Sequence, residues 1–169
     1  MTISMYHGSV PVFLQLLGGL KAVIDKGEAH ATAQKWDENV LLNWRLYPDM
    51  FTFARQVRQA CEHALGAGRA AGVSVPEYPA IDNSLAEMKS RIDKTIDFLK
   101  GLRADQLDGR EDQQVTITQG GQQRNFRGQV YLYHLAIPNF YFHITTAYNI
   151  LRNLGITIGK RDFMGQMPS

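Results

Sequence analysis

The sequence predicts an all-α protein, a bundle of four long helices with a small β-hairpin inserted before the last helix. Apolar residues recur at three- and four-residue steps in four separate stretches, as they do on the buried face of a helix. Another short stretch alternates apolar and polar residues and ends in a glycine pair, which is typical of a hairpin. The 169 residues contain neither an internal repeat nor a low-complexity linker, so we expect a single domain spanning residues 1–169.

The first helix is amphipathic, and its apolar stripe consists of Tyr6, Val10, Phe13, Leu14, Leu17, Leu20 and Ile24. Lys26 and Gly27 predict its C-terminal end, and Pro11 indicates a kink or a late start. Gly18 and Gly19 each weaken a helix by roughly 1 kcal/mol relative to alanine. Their presence therefore predicts that a neighbouring element approaches the helix closely.

The second helix is predicted to open at Pro48, because proline suits the first helical position, and to end at Gly66 or Gly68. Its apolar stripe consists of Phe51, Ala54, Val57, Cys61, Ala64 and Leu65. Between the first two helices, residues 36–47 contain a short apolar run. We expect this run to form a helical turn that covers one end of the bundle.

The third helix has the clearest start, since Ser84 and Glu87 have the spacing of a capping box. Apolar residues then follow at helical steps, namely Leu85, Met88, Ile92, Ile96 and Leu99. After this helix, residues 113–126 alternate in character around the Gly120-Gly121 pair. That pattern predicts a hairpin with a tight turn.

The last helix is predicted from about Gln129 to Leu154, with Gly155 as its left-handed cap and a bend at Pro138. Residues 129–151 carry no charge and are numerous enough to span a bilayer. Because this stretch also contains histidines, asparagines and threonines, we expect a helix enclosed by other helices instead. One core should hold residues from all four helices, namely Leu17, Val57, Ile92, Ile96, Ile144 and Leu151.

The composition argues against several classes of function. The 18 basic and 16 acidic residues are interspersed, without the basic blocks of a nucleic-acid-binding surface. The single cysteine, Cys61, cannot form an internal disulfide, and its place on an apolar stripe predicts an unreactive buried thiol. The N-terminus lacks the pattern of a secretory leader. We therefore expect a cytoplasmic protein with no nucleic-acid or membrane partner.

Three segments of the chain resemble an uncharacterised bacterial family within the DinB-like superfamily. They read SMYHGSVPVFLQLLGGL, NWRLYPDMFTFARQV and FYFHITTAYNILRNLGITIGKRDF, and their order spans nearly the whole chain. The resemblance implies a four-helix bundle of up-down-down-up topology. It also implies a relationship to proteins that hold a divalent metal through three histidines on the second and fourth helices, some of them thiol-dependent transferases or isomerases.

The resemblance carries the metal triad onto three positions of this chain. His143 matches one histidine, because Leu151-Arg152 follows it at the expected distance. Asn139 stands at the second position, and the third falls at or next to Gln56. Since a Gln/Asn/His set lacks the carboxylate or second imidazole usual for transition metals, we expect no cofactor, with zinc, nickel or iron at His143 as the alternative.

Other residues qualify as pocket candidates from their spacing. Asn139 and His143 share a helix face, so they either line a small pocket with Gln56 or form an internally satisfied buried pair. His63 lies seven residues after Gln56 and is a candidate second imidazole for a displaced site. Arg45 and Asp49 form either a salt-linked corner or part of a pocket.

The tail beyond Ile156 has no helical period, and it contains Lys160, Arg161 and Asp162 followed by Phe163. These residues either fold over the bundle end, with Arg161 against an anionic ligand, or form a solvated terminus that Phe163 attaches to the core.

The hypotheses of function follow from these candidates. The leading hypothesis is a small-ligand-binding or stress-related module without demonstrated catalysis. The alternatives are a divalent-metal-dependent thiol S-transferase or isomerase-like enzyme, and a structural interaction protein. We also expect a homodimer, because the last helix is unusually free of charge and because the resemblance implies one.

Overall fold

The fold is seen in a computed structural model that describes residues 4–167 and is about 60% helical. The helices are α1 (Val10–Ala33), α2 (Glu38–Asn43), α3 (Phe53–Ala64), α4 (Gly66–Ala70), α5 (Leu85–Lys100), α6 (Ala104–Leu107), α7 (Gly128–Val130), α8 (Ile137–Asn153) and α9 (Lys160–Met164). The strands β1 (Gln114–Gln119) and β2 (Gln122–Arg127) form a hairpin, and a π-helical segment, Tyr131–Ala136, joins α7 to α8.

The four longest helices, α1, α3, α5 and α8, surround one hydrophobic core. Helix α1 contacts α5 and α8, and α3 contacts the same two helices. Five of the six predicted core residues are buried, and the remaining one, Ile96, packs half-buried against the core. The prediction of a mainly helical fold with a small hairpin is therefore confirmed.

The predicted end of the first helix at Gly27 is wrong, because α1 continues to Ala33. Gly27 is buried inside the helix, and a Cβ atom there would lie 3.4 Å from the Leu151 side chain of α8. The glycine thus permits close packing between helices and does not end α1. Pro11 lies in the first turn of α1, which agrees with the late start.

Helix α3 begins later than predicted, because Thr52 and not Pro48 caps it. The Thr52 hydroxyl accepts a hydrogen bond from the Arg55 amide at 3.4 Å. The predicted turn within residues 36–47 is α2, whose cap is Asp37. Gly66 and Gly68 do not end the helical path, since they belong to α4, where added Cβ atoms would collide with Ala136 and Phe98.

Helix α5 starts at the predicted cap, where the Ser84 hydroxyl accepts from the Glu87 amide at 3.1 Å. The loop that precedes it is held by an ion pair in the protein interior. Buried Arg91 donates to the buried carboxylate of Asp82 at 2.8 Å and to the carbonyl of Pro79 at 2.6 Å. This buried ion pair anchors the loop to α5, because separating Arg91 from Asp82 would leave a buried charge without a partner.

The hairpin confirms the prediction for residues 113–126. Strand β1 pairs antiparallel with β2, and Gln119 lies opposite Gln122 across the turn. Gly120 and Gly121 have φ values of 59° and 77°. Two successive positive φ values define the type I′ turn that matches the twist of a two-stranded hairpin.

The last helix is one continuous helical path from Gly128 to Asn153, in which the six residues Tyr131–Ala136 are π-helical. The π segment directly precedes α8, whose second residue is Pro138. Proline has no amide hydrogen to donate, and i to i+5 hydrogen bonding accommodates such an irregularity. Gly155 has a φ of 85°, as expected of a left-handed cap. Among residues 4–167, none of the helices combines the length and apolar character of a membrane span.

The tail contains a short helix that the sequence pattern did not predict. Helix α9 packs on α1, where the Gln15 side chain donates to the Met164 carbonyl at 2.9 Å. Lys26 and Asp162 form an ion pair across the same contact at 2.6 Å, and the Phe163 ring packs edge-on against Tyr148. A Cβ atom on Gly19 would lie 2.4 Å from the Phe163 carbonyl oxygen. The close approach predicted from the glycine pair therefore occurs at Gly19.

We expect Gly19→Ala to destabilise the protein and Gly18→Ala to stabilise it. Both substitutions gain helix propensity of up to about 1 kcal/mol. A Cβ atom on Gly19 would collide with backbone atoms of α9, whereas a Cβ atom on Gly18 meets nothing within 4 Å. Chemical denaturation measures the free energy of unfolding, and trypsin cleavage after Lys160 and Arg161 reports release of α9. Equal stabilisation by both substitutions would contradict the tight contact between α1 and α9.

Candidate functional site

A buried hydrogen bond joins the first turn of α3 to α8. The Nδ1 atom of His143 lies 2.7 Å from Oε1 of Gln56, and both side chains are buried. The amide nitrogen of Gln56 donates to the carbonyl of Phe51 at 3.4 Å, which leaves Gln56 Oε1 as an acceptor toward the imidazole. In the neutral ring, Nδ1 therefore carries the proton, and Nε2 keeps its lone pair.

The His143 ring lies parallel to two neighbouring rings. The His63 ring is stacked with it at a centroid distance of 5.5 Å and an interplanar angle of 8°, and the Phe51 ring at 6.1 Å and 2°. Burial lowers the pKa of His143 to about 4, with smaller contributions from His63 and Arg55. Burial also lowers the pKa of His63 to about 4, with a contribution from Arg69. Both imidazoles are therefore neutral at pH 7.

A cleft of about 660 Å³ opens beside these histidines. It lies between α3, α4, strand β1, the π segment and α8, and we call it the histidine cleft. Its lining residues are Phe51, Gln59, Glu62, His63, Arg69, residues 116–119, Tyr131, Leu135, Asn139 and His143. Residues from five elements thus meet around a space large enough for a small organic molecule.

Two residues of opposite charge line the histidine cleft. Arg69 donates to the carboxylate of Glu62 and, at 3.1 Å, to the Glu62 carbonyl. Burial raises the pKa of the neighbouring Tyr131 phenol, which therefore stays protonated at pH 7. The cleft consequently offers a guanidinium and a carboxylate that neutralise one another, a phenol and two neutral imidazoles.

The structure brings together four of the six residues that the sequence nominated. Gln56 and His143 are bonded, and His63 and Asn139 line the same cleft. Arg45 and Asp49 lie exposed outside it, and the Arg45 guanidinium donates to the Pro48 carbonyl at 3.2 Å instead of pairing with Asp49. Local spacing suggested that pair, but the loop before α3 turns both side chains to solvent.

The sequence reading missed Glu62, Arg69, Tyr131 and the β1 wall of the cleft. Glu62 and Arg69 are seven residues apart, a spacing that would place them on one face of a continuous helix. That spacing was a usable signal. The contribution of β1 had no such signal, because it depends on how the hairpin packs beside elements distant in the chain.

The residues at the superfamily's triad positions do not fit a transition metal. The Gln56 oxygen is engaged by His143, and the Asn139 amide donates to the Leu135 carbonyl at 2.7 Å. Within residues 4–167, no three His, Cys, Asp or Glu side chains are arranged to hold a metal ion. Since the His63 and His143 rings are stacked, their in-plane lone pairs run in parallel planes and do not converge at the roughly 2 Å that zinc requires.

Comparison with known proteins gives a family and a fold relative. Residues 5–164 match a family described as a domain of unknown function, DUF1993. A crystal structure described as a DinB family member protein from Shewanella denitrificans is 38% identical, with a TM-score of 0.87, over 97% of this chain and 93% of that chain. No curated protein matches the chain. The resemblance to a DinB-like family of unknown function is thus confirmed.

We expect the free energy of unfolding to fall as the pH drops from 6.5 toward 4. In that window His63 and His143 are protonated in the unfolded chain, where their pKa is about 6.5, but remain neutral in the folded protein, where burial lowers both pKa values to about 4. The contribution of the two neutral histidines to the free energy of unfolding is therefore fully present above pH 6.5 and is lost as the pH falls toward 4. Denaturant titrations at several pH values should give a shallower dependence for His63→Asn than for the wild type.

The matched control for this titration is His134→Asn, since His134 is exposed on the π segment and lies outside the cleft. It should leave the pH dependence of stability unchanged. A wild-type protein whose stability is constant between pH 6.5 and 4 would refute the neutral, desolvated histidine pair.

Proposed function

The chain belongs to the DUF1993 family, and on that premise we propose that it is a small-ligand-binding module whose ligand occupies the histidine cleft. The observation that carries the proposal is the 2.7 Å contact between His143 and Gln56. It holds the imidazole in one tautomer, with Nε2 as an acceptor beside the cleft. A preset acceptor in a partly enclosed cleft is what recognition of a donor group requires.

The cleft favours a ligand without net charge. Both histidines are neutral at pH 7, and Glu62 and Arg69 compensate one another. An anion or a cation would lose hydration without gaining an uncompensated partner of opposite sign. The ligand we propose donates an N–H or O–H to His143 and accepts from the Tyr131 phenol.

The same proposal extends to architecture and location. The contacts of α1 and α3 with both α5 and α8 support a four-helix, up-down-down-up bundle that forms one domain. The lone thiol of Cys61 is buried, and burial raises its pKa to about 12, so it stays protonated and unreactive. A thiol of this kind is compatible with the cytoplasmic location that we propose.

The test is a screen of uncharged fragments that carry N–H or O–H donors, observed through the imidazole resonances of the protein. Binders should shift the His63 and His143 signals, and His143→Ala should weaken binding roughly tenfold or more through loss of the acceptor. His134→Ala is the control, because His134 lies outside the cleft. His143→Ala should also lower the free energy of unfolding by about 1–3 kcal/mol, since Gln56 loses its partner.

Two outcomes would contradict this proposal. Fragments that bind equally well to His143→Ala would place recognition elsewhere. A wild-type protein that keeps one transition-metal ion per chain through dialysis, and loses it in His143→Ala, would favour the metal-dependent transferase instead. Elemental analysis of protein purified without an affinity tag measures that content.

We also propose a homodimer formed through the exposed face of α8. Tyr141 and Phe142 are 41% and 57% exposed on a helical path whose residues 129–151 carry no charge. A two-fold-related copy would cover this face by an isologous contact. Light scattering at high micromolar concentration should give a dimer, which Phe142→Lys disrupts and Ile81→Lys, at another exposed apolar residue, does not. A monomeric wild type would contradict the dimer.

A further inference from the structure

The wall of the histidine cleft formed by β1 has an unusual composition. Four consecutive residues of the strand, 116–119, line the cleft. Successive side chains of a strand point to opposite faces of the sheet, so one face can supply only alternate residues. A run of four consecutive residues means that the open edge of β1, with its backbone groups, faces the cleft.

The register of the hairpin identifies the backbone groups on that edge. Gln119 and Gln122 flank the two-residue turn and form a hydrogen-bonded pair. Because hydrogen-bonded and non-hydrogen-bonded pairs alternate, Ile117 bonds to Arg124, whereas Thr116 and Thr118 direct their N–H and C=O groups away from β2. No other backbone group among residues 4–167 bonds to Thr116 or Thr118.

The open edge of β1 lacks the usual protection against strand pairing. Proteins generally guard an exposed strand edge with charged residues, proline or a bulge. Residues 114–119 contain no charge and no proline, and their pairing with β2 is continuous. Strand β2, by contrast, carries Arg124 and Arg127. The edge that faces the cleft is thus the one that can pair with a further strand.

We propose that the histidine cleft binds an extended, uncharged peptide segment that adds to β1 as a third strand. This inference rests on the proposed function and names its class of ligand. Backbone groups of the peptide pair with Thr116 and Thr118, as in recognition by strand addition. On the opposite wall, the Nε2 atom of His143 accepts from a donor side chain of the peptide.

The geometry sets the length and charge of the peptide. Thr116 and Thr118 are two residues apart, so a stretch of three residues engages both. The peptide residue between the two paired ones directs its own N–H and C=O toward the opposite wall. Since Glu62 and Arg69 neutralise one another, this stretch is expected to contain Ser, Thr, Asn or apolar residues and no Lys, Arg, Asp or Glu.

The experiment uses acetylated and amidated tetrapeptides of Val, Thr, Ser and Phe, titrated into the full-length ¹⁵N-labelled protein. We expect the amide signals of Thr116 and Thr118 to shift while that of Ile117, already bonded to β2, shifts less. Thr118→Pro removes the outward N–H from an edge position that tolerates proline. It should weaken peptide binding roughly tenfold or more, whereas Thr118→Val keeps the N–H and should bind within about twofold of wild type.

An intact hairpin in Thr118→Pro is verified from the cross-strand contacts between Ile117 and Arg124. Failure of all the tetrapeptides to bind, or equal binding to Thr118→Pro, would overturn strand addition. If uncharged fragments still bind in a His143-dependent manner, only this inference fails and the proposed function stands. Shifts at Thr116 and Thr118 that depend on protein concentration without peptide would identify a second copy as the occupant and would also overturn it.

Discussion

The hydrogen bond between Gln56 and His143 is the interaction on which the rest of the site depends. It crosses the contact between α3 and α8, the two helices that carry His63 and His143. A buried amide and a buried imidazole would each lose hydration without this contact, so the bond is both a structural tie and a choice of tautomer. The bond fixes the position of the His143 ring. That position allows the rings of His63 and Phe51 to lie parallel to it and sets the direction of its acceptor atom, Nε2.

The triad positions of this chain carry other residues than the histidines that the resemblance implies. The resemblance to the DinB-like superfamily implies a histidine at or next to Gln56, and the glutamine forms a polar link between the same two helices. The link runs directly from side chain to side chain over 2.7 Å. As a result the imidazole's free nitrogen, the compensated pair of Glu62 and Arg69 and the open strand edge form a surface suited to hydrogen bonding more than to Lewis-acid chemistry.

The sequence predicted the features that depend on local patterns. Helical periods located all four long helices, Ser84 marked the start of α5, and the glycine pair located the hairpin turn. Errors arose where tertiary packing outweighed local preference, as at Gly27, which fits against Leu151 inside α1. The resemblance placed Gln56, Asn139 and His143 in one site, and spacing added His63, whereas the roles of β1 and Arg69 depend on contacts between elements distant in the chain.

The π segment has a consequence for the alignment of side chains along the last helix. Tyr131, Leu135, Asn139 and His143 line the cleft at four-residue intervals, although such a row would drift by about 120° around a regular α-helix. The wider π turn holds one residue more and reduces that drift. Deleting that residue would rotate the hairpin about the helix axis by roughly 100°, so the spacing between the two walls of the cleft is set by chain length as much as by residue type.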